Sequence, residues 1–278
     1  MMITHDLAVV SDLADQILIM RQGEVVEQGP PGQLFAAMSH PYTRMLFKAS
    51  NHTVSLPVPA ADPVPLLQVQ NIARSYQLPR SGVFSKPDIL RAVDNVSFTL
   101  HAGERLGLVG ESGCGKSTLT RAILGLEQVQ AGTITLKGAP VWSGRQPNRA
   151  VRRNIQVVFQ DPYGSFNPRH TVARLITEPY HLLDQLPDAE ERAQAVAEAL
   201  QAVGLSPKDA TKYSHEFSGG QRQRLAIARA LILRPDLIVF DEAVSALDVS
   251  VRAQILDLIA DLSSRFALSY LFISHDLS

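Results

Sequence analysis

The sequence predicts an α/β fold whose core is a parallel sheet flanked by helices, and three segments support this prediction. Residues 105–109 form a short strand-like run that leads directly into the glycine-rich loop Gly110–Thr118. Residues 155–159 and 237–240 are further apolar runs, and each ends in polar side chains. Short apolar runs bounded in this way are typical of strands buried in a parallel sheet.

The composition is that of a globular chain with a packed core. Its 278 residues, 45% of them hydrophobic, suffice for one large or two modest domains. Lys and Arg number 26 against 27 Asp and Glu, so no global basic field attracts a nucleic acid, and no nucleic-acid partner is expected. A single cysteine, Cys114, excludes an internal disulfide and suits a reducing cytoplasm. Neither a membrane-spanning run nor a secretory signal is predicted.

The loop after the first strand has the phosphate-binding pattern G-x-x-x-x-G-K-S, known as Walker A. Its glycines let successive amides turn inward, and the helix that starts at Lys116 directs its positive end at the same phosphates. Lys116 is expected to neutralise the β- and γ-phosphates of ATP, and Ser117 to bind Mg²⁺. The predicted nucleotide-binding residues of this loop are Gly110, Ser112, Gly113, Cys114, Gly115, Lys116, Ser117 and Thr118.

Two acidic residues, Asp241 and Glu242, end the run 237–240 in the pattern known as Walker B. In a parallel sheet the end of this strand lies on the same edge as the phosphate loop. We therefore expect Asp241 to bind Mg²⁺ and Glu242 to orient or polarise the attacking water as a catalytic residue. Solvated loop charges are the alternative interpretation, which the preceding phosphate loop disfavours.

A third motif, at residues 218–221, is Ser-Gly-Gly-Gln at the start of a predicted helix 221–233. A helix start with a hydroxyl and glycine amides attracts anions. Leu225, Ala228 and Ile232 are the predicted buried stripe of this helix, and its arginines, including Arg229, are expected on other faces. The motif resembles the signature sequence of ATP-binding cassette ATPases. In that family two domains pack head to tail, which implies that Ser218, Gly219, Gly220 and Gln221 close over the ATP of a partner domain.

The resemblance assigns roles to four further positions. Gln160 resembles the glutamine that contacts magnesium and senses the membrane subunit, and Asp248 belongs to a loop, 245–248, that crosses the dimer interface. His275 resembles the histidine that hydrogen-bonds the γ-phosphate, and Tyr76 the aromatic residue that stacks on adenine. A core or surface tyrosine is the alternative for Tyr76. Ala243 and Val244 depart from the usual Pro-Thr, at positions whose side chains do no chemistry.

By the same resemblance, the P-loop NTPase core carries an antiparallel β subdomain and an α-helical subdomain over about residues 161–233. Residues 189–203 are its clearest helix, with Val196, Leu200 and Val203 on one face. This subdomain is expected to dock on a coupling helix of a membrane partner. Packing of the helix only within its own domain is the alternative.

The two ends of the chain echo each other, Ile3-Thr4-His5-Asp6-Leu7 at the start and Ile273-Ser274-His275-Asp276-Leu277 at the end. We therefore predict a C-terminal remnant of a preceding cassette at 1–50, a Pro-rich linker at 51–65, and a nucleotide-binding domain at 66–278 that is truncated just after His275. Alternatively, residues 6–50 fold back to complete residues 66–278, because a linker of this length reaches up to about 50 Å.

The segments 40–46 and 159–168 resemble the oligopeptide, dipeptide and nickel importers of this family. The resemblance implies an ATP-hydrolysing importer subunit, peripheral on the cytoplasmic face of the inner membrane. Its implied partners are a second cassette domain, multi-span permease subunits and, indirectly, an extracytoplasmic substrate-binding protein. A soluble ATPase acting on DNA or ribosomes, and a truncated ATP-binding fragment with little turnover, are the alternatives.

Overall fold

The computed structural model describes residues 2–4, 7–54, 56, 64–79 and 88–274, and within it the chain divides into two compact units. Unit 1 comprises Met1–Leu56 and Ala246–Asp261, and unit 2 comprises Pro57–Ser245 and Leu262–Ser278. Residues 55 and 57–63 of the predicted linker and His5 of the predicted echo lie outside the described residues. The predicted domain boundaries stay a prediction.

The described residues form helices, strands and short 3₁₀ turns throughout both units. The helices are α1 (Leu7–Leu13), α2 (Pro31–Ala37), α3 (Pro41–Ser50), α4 (Lys116–Ile123), α5 (Arg149–Asn154), α6 (Pro162–Ser165), α7 (Val172–Ile176), α8 (Ala189–Ala202), α9 (Gly219–Leu231) and α10 (Val249–Phe266). The strands are β1 (Ile17–Arg21), β2 (Glu24–Gly29), β3 (Pro65–Gln77), β4 (Ile89–His101), β5 (Arg105–Val109), β6 (Ala131–Leu136), β7 (Ala139–Pro140), β8 (Trp142–Ser143), β9 (Gln146–Pro147), β10 (Ile155–Phe159), β11 (Leu237–Asp241) and β12 (Ser269–Ser274). The 3₁₀ turns span Glu178–Leu182, Pro207–Thr211 and Ser214–Glu216.

Unit 1 is organised around the antiparallel β1–β2 hairpin. A small apolar cluster of Ile17, Ile19 and Leu34 is buried beneath it. Glu27 on β2 accepts hydrogen bonds from the backbone amide of Ser39, at 2.8 Å, and from the hydroxyl of Thr43. Because these donors flank the start of α3, the carboxylate fastens that helix to the hairpin.

Unit 1 also joins two distant parts of the chain. His52, just after α3, places its Nε2 atom 2.8 Å from Oδ1 of Asp257 on α10. The same unit contains both the segment up to Leu56 and the segment Ala246–Asp261. The fold-back hypothesis stays a prediction.

The parallel sheet of unit 2 has the strand order β10-β11-β12-β5. Its register aligns Phe159, Asp241, Ile273 and Leu108 in one row across the four strands. Neighbouring strands of a sheet lie about 4.8 Å apart. The residues that follow these four positions therefore meet along one edge of the sheet.

A second sheet of unit 2 is antiparallel, with the order β4-β3-β6-β7. One continuous core contains buried side chains from both sheets and from α4. The members from α4 include Leu119 and Ile123, and those from the two sheets include Leu67 and Val239. The helix after the phosphate loop is therefore packed into the main core, which fixes the position of the loop.

The helical region between β10 and β11 is as predicted, and α8 begins at a capping box of Asp188 and Glu191. Val196, Leu200 and Val203, the predicted face, are each at most 3% exposed. These side chains thus pack inside their own chain, and docking of this subdomain on a membrane partner stays a prediction. Among the described residues, no helix combines the length and the apolar character that crossing a bilayer requires.

We predict that removing residues 1–50 lowers the melting midpoint of the remaining chain by about 4 °C or more, since a loss of about 1 kcal/mol shifts a domain of this size by about 2–4 °C. The reason is that the segment 246–261 loses the rest of its compact unit. Differential scanning calorimetry measures the shift. His52→Ala is the control, because loss of one largely exposed ion pair costs about 1 kcal/mol at most. An unchanged midpoint after the deletion contradicts the fold-back hypothesis.

Candidate functional site

The carboxyl edge of the parallel sheet brings together three of the predicted parts of the site. Gln160 follows β10, Glu242 follows β11, and the phosphate loop follows β5. Strand β12, which lies between β11 and β5, ends at Ser274. His275 comes next and lies outside the described residues, so its predicted contact with the γ-phosphate stays a prediction.

The backbone of the phosphate loop requires glycine at two of its positions. Gly113 and Gly115 have φ values of +84° and +100°, in the left-handed region that side chains disfavour. A Cβ atom on Gly115 would lie 1.9 Å from the carbonyl oxygen of Ala92 on β4. The turn into α4 is therefore pressed against the antiparallel sheet and has no room for a side chain.

Lys116 is buried at the first turn of α4, with 8% of its surface exposed. Its Nζ atom donates hydrogen bonds to the carbonyl oxygens of Gly110, at 2.5 Å, and Glu111, at 2.9 Å. The lysine thus spans the mouth of its own loop. Phosphate oxygens are stronger partners for an ammonium group than carbonyl oxygens are, because the bond is then between two charges.

The rest of the loop faces solvent. Ser112, Cys114 and Ser117 are exposed, and Thr118 is partly buried. A Cβ atom on Gly110 would lie 2.7 Å from the sulfur of Cys114, so the thiol occupies the space that glycine leaves open. The exposed hydroxyl of Ser117 at the helix start is available to an incoming ligand.

Asp241 lies in an environment that disfavours its charge. Burial raises the pKa of this carboxyl group, the neighbouring Glu242 raises it further, and the charges of Arg121 and Lys116 oppose the rise. A carboxylate whose charged form is disfavoured by its surroundings is typical of a functional site that binds a cation.

Glu242 has a φ of +51°, an uncommon conformation for a residue with a side chain. Its N–H donates to the carbonyl oxygen of Ile273, at 3.0 Å. Its carbonyl oxygen accepts hydrogen bonds from the backbone amide of Ser245, at 3.1 Å, and from the Ser245 hydroxyl, at 2.9 Å. Strained backbone that its surroundings hold in place is concentrated at functional sites.

Ser245 joins the predicted catalytic residues. Its Oγ atom accepts a hydrogen bond of 3.0 Å from Nε2 of Gln160, while it donates to the carbonyl oxygen of Glu242. The result is a chain of hydrogen bonds from the end of β10 to the residue after β11. The sequence motif at 245–248 predicts only an interface loop for Ser245, and no local signal indicates the contact with Gln160, which is 85 positions away along the chain.

The signature motif forms the start of α9. The Ser218 hydroxyl accepts from the amide of Gln221, and the Gln221 side chain accepts from the amide of Ser218, at 3.0 Å. Because of this capping box, the helix begins at Gly219, two residues before the predicted start. Ser218 and Gly219 are exposed, as a surface that covers another domain's ligand requires.

The prediction for Arg229 was wrong, since this side chain is only 13% exposed. It donates to the carbonyl oxygen of Ser165, at 3.1 Å, and to Glu178, at 3.2 Å. Its guanidinium group lies 4.8 Å from the ring centre of Phe166. Burial lowers the pKa of Arg229, and the charge of Glu178 opposes this effect. Arg229 therefore connects the signature helix to the segment that follows Gln160.

Tyr76 and Asp248 have partners within the chain itself. The Tyr76 hydroxyl donates to Glu127, at 2.7 Å, and Arg74 lies against its ring. In unit 1, Asp248 accepts from the hydroxyl of Ser250, at 2.8 Å, and from the amide of Val251, at 3.1 Å, and so caps α10. Their predicted roles at a nucleotide stay predictions.

The oxygen donors at the sheet edge suit Mg²⁺, which prefers carboxylate, hydroxyl and amide oxygens. Asp241 supplies a partly buried carboxylate, Ser117 an exposed hydroxyl, and Gln160 an exposed amide. Within the described ranges, no cluster of three or more His, Cys, Asp or Glu side chains could hold a metal by itself. This donor set fits a magnesium ion that takes most of its ligands from phosphates and water.

Comparisons with known proteins agree with this geometry. A protein-family profile described as "ABC transporter" matches residues 93–245. The glutathione import ATP-binding protein GsiA of Escherichia coli (strain K12) is 46% identical over 99% of this chain and 48% of its own length. Its counterpart in Shigella flexneri is 45% identical over the same shares. The chain thus spans about half the length of the curated relatives it matches.

Two solved structures share the fold. The cbiO1 protein from Clostridium perfringens, described as part of the ABC transporter complex cbiONQ, aligns with a TM-score of 0.64 at 23% identity, over 76% of this chain and 79% of its own. The ATP-binding cassette MJ0796, a dimer bound to ADP and phosphate, also aligns with a TM-score of 0.64, at 26% identity, over 76% and 89%. The predicted fold class is confirmed.

We predict that Asp241→Asn raises the melting midpoint of the protein in EDTA at pH 7 above that of the wild type, as differential scanning calorimetry measures it. The folded-state pKa of Asp241 is raised, so its ionised form costs stability at neutral pH. The advantage of the variant should shrink as the pH falls to the ordinary carboxyl range, where Asp241 is protonated in both states.

Asp236→Asn is the matched control, since Asp236 bonds Lys137 at 2.6 Å on the surface and its charge is compensated. We expect no gain from this control. A lower midpoint for Asp241→Asn, or an equal gain for both variants, contradicts the electrostatic account of Asp241.

Proposed function

Because this chain belongs to the ABC transporter family, whose profile covers residues 93–245, we propose that it binds and hydrolyses ATP to power import across a membrane. The observation that carries the proposal is the convergence of three sequence motifs at one sheet edge. The phosphate loop follows β5, Gln160 follows β10, and Asp241 and Glu242 lie at the end of β11, and one register aligns these strands. A triphosphate at this edge meets a lysine, a magnesium donor set and a candidate catalytic carboxylate together.

ATP binding is proposed to begin at Lys116 and the first turn of α4. The Nζ atom exchanges the carbonyl oxygens of Gly110 and Glu111 for β- and γ-phosphate oxygens. The amides of the loop and the dipole of α4 add partial positive charge at the same place. Ser117, Asp241 and Gln160 would hold Mg²⁺ together with the phosphates, and the ion would neutralise the charge that develops on the leaving ADP.

Hydrolysis is proposed to use Glu242 as the group that orients and polarises the attacking water. Three backbone hydrogen bonds fix the position of this residue, two of them from Ser245. Since Ser245 also bonds Gln160, a shift of Gln160 changes the support of Glu242. This linkage gives a membrane partner that moves Gln160 a route to the catalytic carboxylate.

The signature motif is proposed to act on the nucleotide of a second cassette domain in a head-to-tail dimer. The first turn of α9 is exposed at Ser218 and Gly219, and its amides form a site for anions. The related cassette MJ0796 is described as a dimer in its ADP- and phosphate-bound state. ATP would then join two cassettes, and its hydrolysis would release them.

The proposed cargo is a short peptide. The curated relatives are named as glutathione importers, and glutathione is itself a tripeptide. The similarity covers nearly all of this chain but about half of those relatives, so the cargo is inferred from the family branch. Proposed partners are multi-span permease subunits and, indirectly, an extracytoplasmic binding protein, which would place the chain on the cytoplasmic face of the membrane.

Lys116→Ala is predicted to weaken Mg·ATP binding by about 10- to 100-fold, because a hydrogen bond between charged groups contributes about 1.5–3 kcal/mol and each 1.4 kcal/mol corresponds to a factor of ten. Isothermal titration calorimetry measures the affinity. Lys137→Ala is the matched control, since that side chain is 59% exposed and bonds only the surface residue Asp236. Wild-type affinity and turnover in Lys116→Ala contradict the proposed function.

Isolation of the tagged chain from detergent-solubilised membranes is predicted to recover a multi-span membrane protein. Recovery with ribosomes or DNA, and never with such a protein, contradicts the transport proposal.

In the isolated complex with its binding protein, glutathione or a dipeptide should stimulate ATP hydrolysis. Stimulation by Ni²⁺ and not by peptides contradicts the proposed cargo.

A further inference from the structure

A cluster of three side chains lies close to the phosphate loop: Arg74 and Tyr76 on the antiparallel sheet, and Glu127 between α4 and β6. Tyr76 on β3 is paired with Leu90 on β4, and Ala92, two residues along β4, touches the turn at Gly115. Two residues of a strand span about 7 Å. Tyr76 therefore lies beside the end of the loop where α4 begins.

Glu127 holds Tyr76 and Arg74 through a single oxygen atom. Its Oε1 accepts from the Tyr76 hydroxyl at 2.7 Å, from Nε of Arg74 at 2.9 Å and from Nη2 of Arg74 at 2.7 Å. The side chain of Glu127 is 18% exposed and that of Arg74 is 25% exposed. Hydrogen bonds to a charged and partly buried carboxylate are stronger than those between neutral groups.

Arg74 covers one face of the tyrosine ring. Arg74 and Tyr76 are two positions apart on β3, so they lie on the same side of the strand. The guanidinium carbon of Arg74 is 4.9 Å from the centre of the Tyr76 ring. A base that stacks on Tyr76 must therefore use the opposite face. Arg74 thus covers one face of the Tyr76 ring, and Glu127 holds the hydroxyl group at its edge.

The cluster is also tied to the phosphate loop through α4. Glu127 follows this helix, and its amide donates to the carbonyl oxygen of Arg121, at 3.2 Å. Lys116 begins the same helix. The phosphate-binding lysine therefore begins a short helix that is packed in the core, and the group that orients the ring lies four residues after the end of that helix.

We propose that Glu127 is a positioning residue for the nucleotide base: it orients the Tyr76 ring, with Arg74 behind it, so that the adenine of ATP stacks on the opposite face. This inference rests on the proposed function. It adds that the ring on which the base stacks has its other face covered by Arg74. It also assigns the grip to three residues, of which only Tyr76 has a sequence motif.

The test is a double-mutant cycle with Mg·ADP and with inorganic pyrophosphate, which has no base. Base–aromatic stacking contributes about 1–3 kcal/mol, so Tyr76→Ala should weaken Mg·ADP binding by about tenfold. Glu127→Gln should weaken it by about threefold, because a neutral amide holds the phenol and the guanidinium less firmly. In the Tyr76→Ala background, Glu127→Gln should cause no further loss, and neither variant should change pyrophosphate binding.

Three results would overturn the inference. The first is that Glu127→Gln weakens Mg·ADP binding equally with and without Tyr76. The second is that Tyr76→Ala or Glu127→Gln weakens pyrophosphate binding as much as Mg·ADP binding. The third is tighter Mg·ADP binding by Arg74→Met, which would mean that Arg74 blocks the stacking face. Lys116→Ala distinguishes failure of this inference from failure of the proposed function. If that variant loses pyrophosphate binding, the phosphate site is upheld, whatever the variants of Tyr76, Glu127 and Arg74 show. Melting midpoints of all variants verify that the chain stays folded.

Discussion

The register of four parallel strands is the constraint on which the rest of unit 2 depends. It aligns Phe159, Asp241, Ile273 and Leu108, so the chain leaves each strand at the same edge. Parallel strands need no side chain to bring their ends together, because hydrogen bonding of the backbone does so. Residues that are far apart along the chain thereby become a single site. A slip of one residue in any strand would turn its terminal side chain to the other face.

Two connections extend from this edge to the parts of the chain that are expected to move. Ser245 links Gln160 to the backbone of Glu242. Arg229 links the signature helix to Ser165 and Phe166, in the segment after Gln160. The same segment is therefore joined to the candidate catalytic residue at one side and to the candidate partner-binding helix at the other. Such an arrangement allows a partner's position and the state of the nucleotide to influence each other.

Local patterns predicted the strands and the phosphate loop well, because a strand followed by a glycine loop and a lysine carries its signal within a few residues. Contacts between distant residues had no such signal. The bond between Tyr76 and Glu127 joins residues 51 positions apart, and burial of Arg229 depends on Phe166 and Glu178 from other elements. A charged residue on a helix is usually exposed, so periodicity favoured the wrong face for Arg229.

The most direct measurement of the central claim is hydrogen–deuterium exchange of the wild-type chain with and without Mg·ATP. The account predicts that Mg·ATP slows exchange in all three segments of the site together, although they are remote in sequence. These segments are the loop 110–118, residues 160–164 and residues 241–245. Slower exchange in the loop alone, or in none of the three segments at saturating Mg·ATP, would contradict a single site at the carboxyl edge of the sheet.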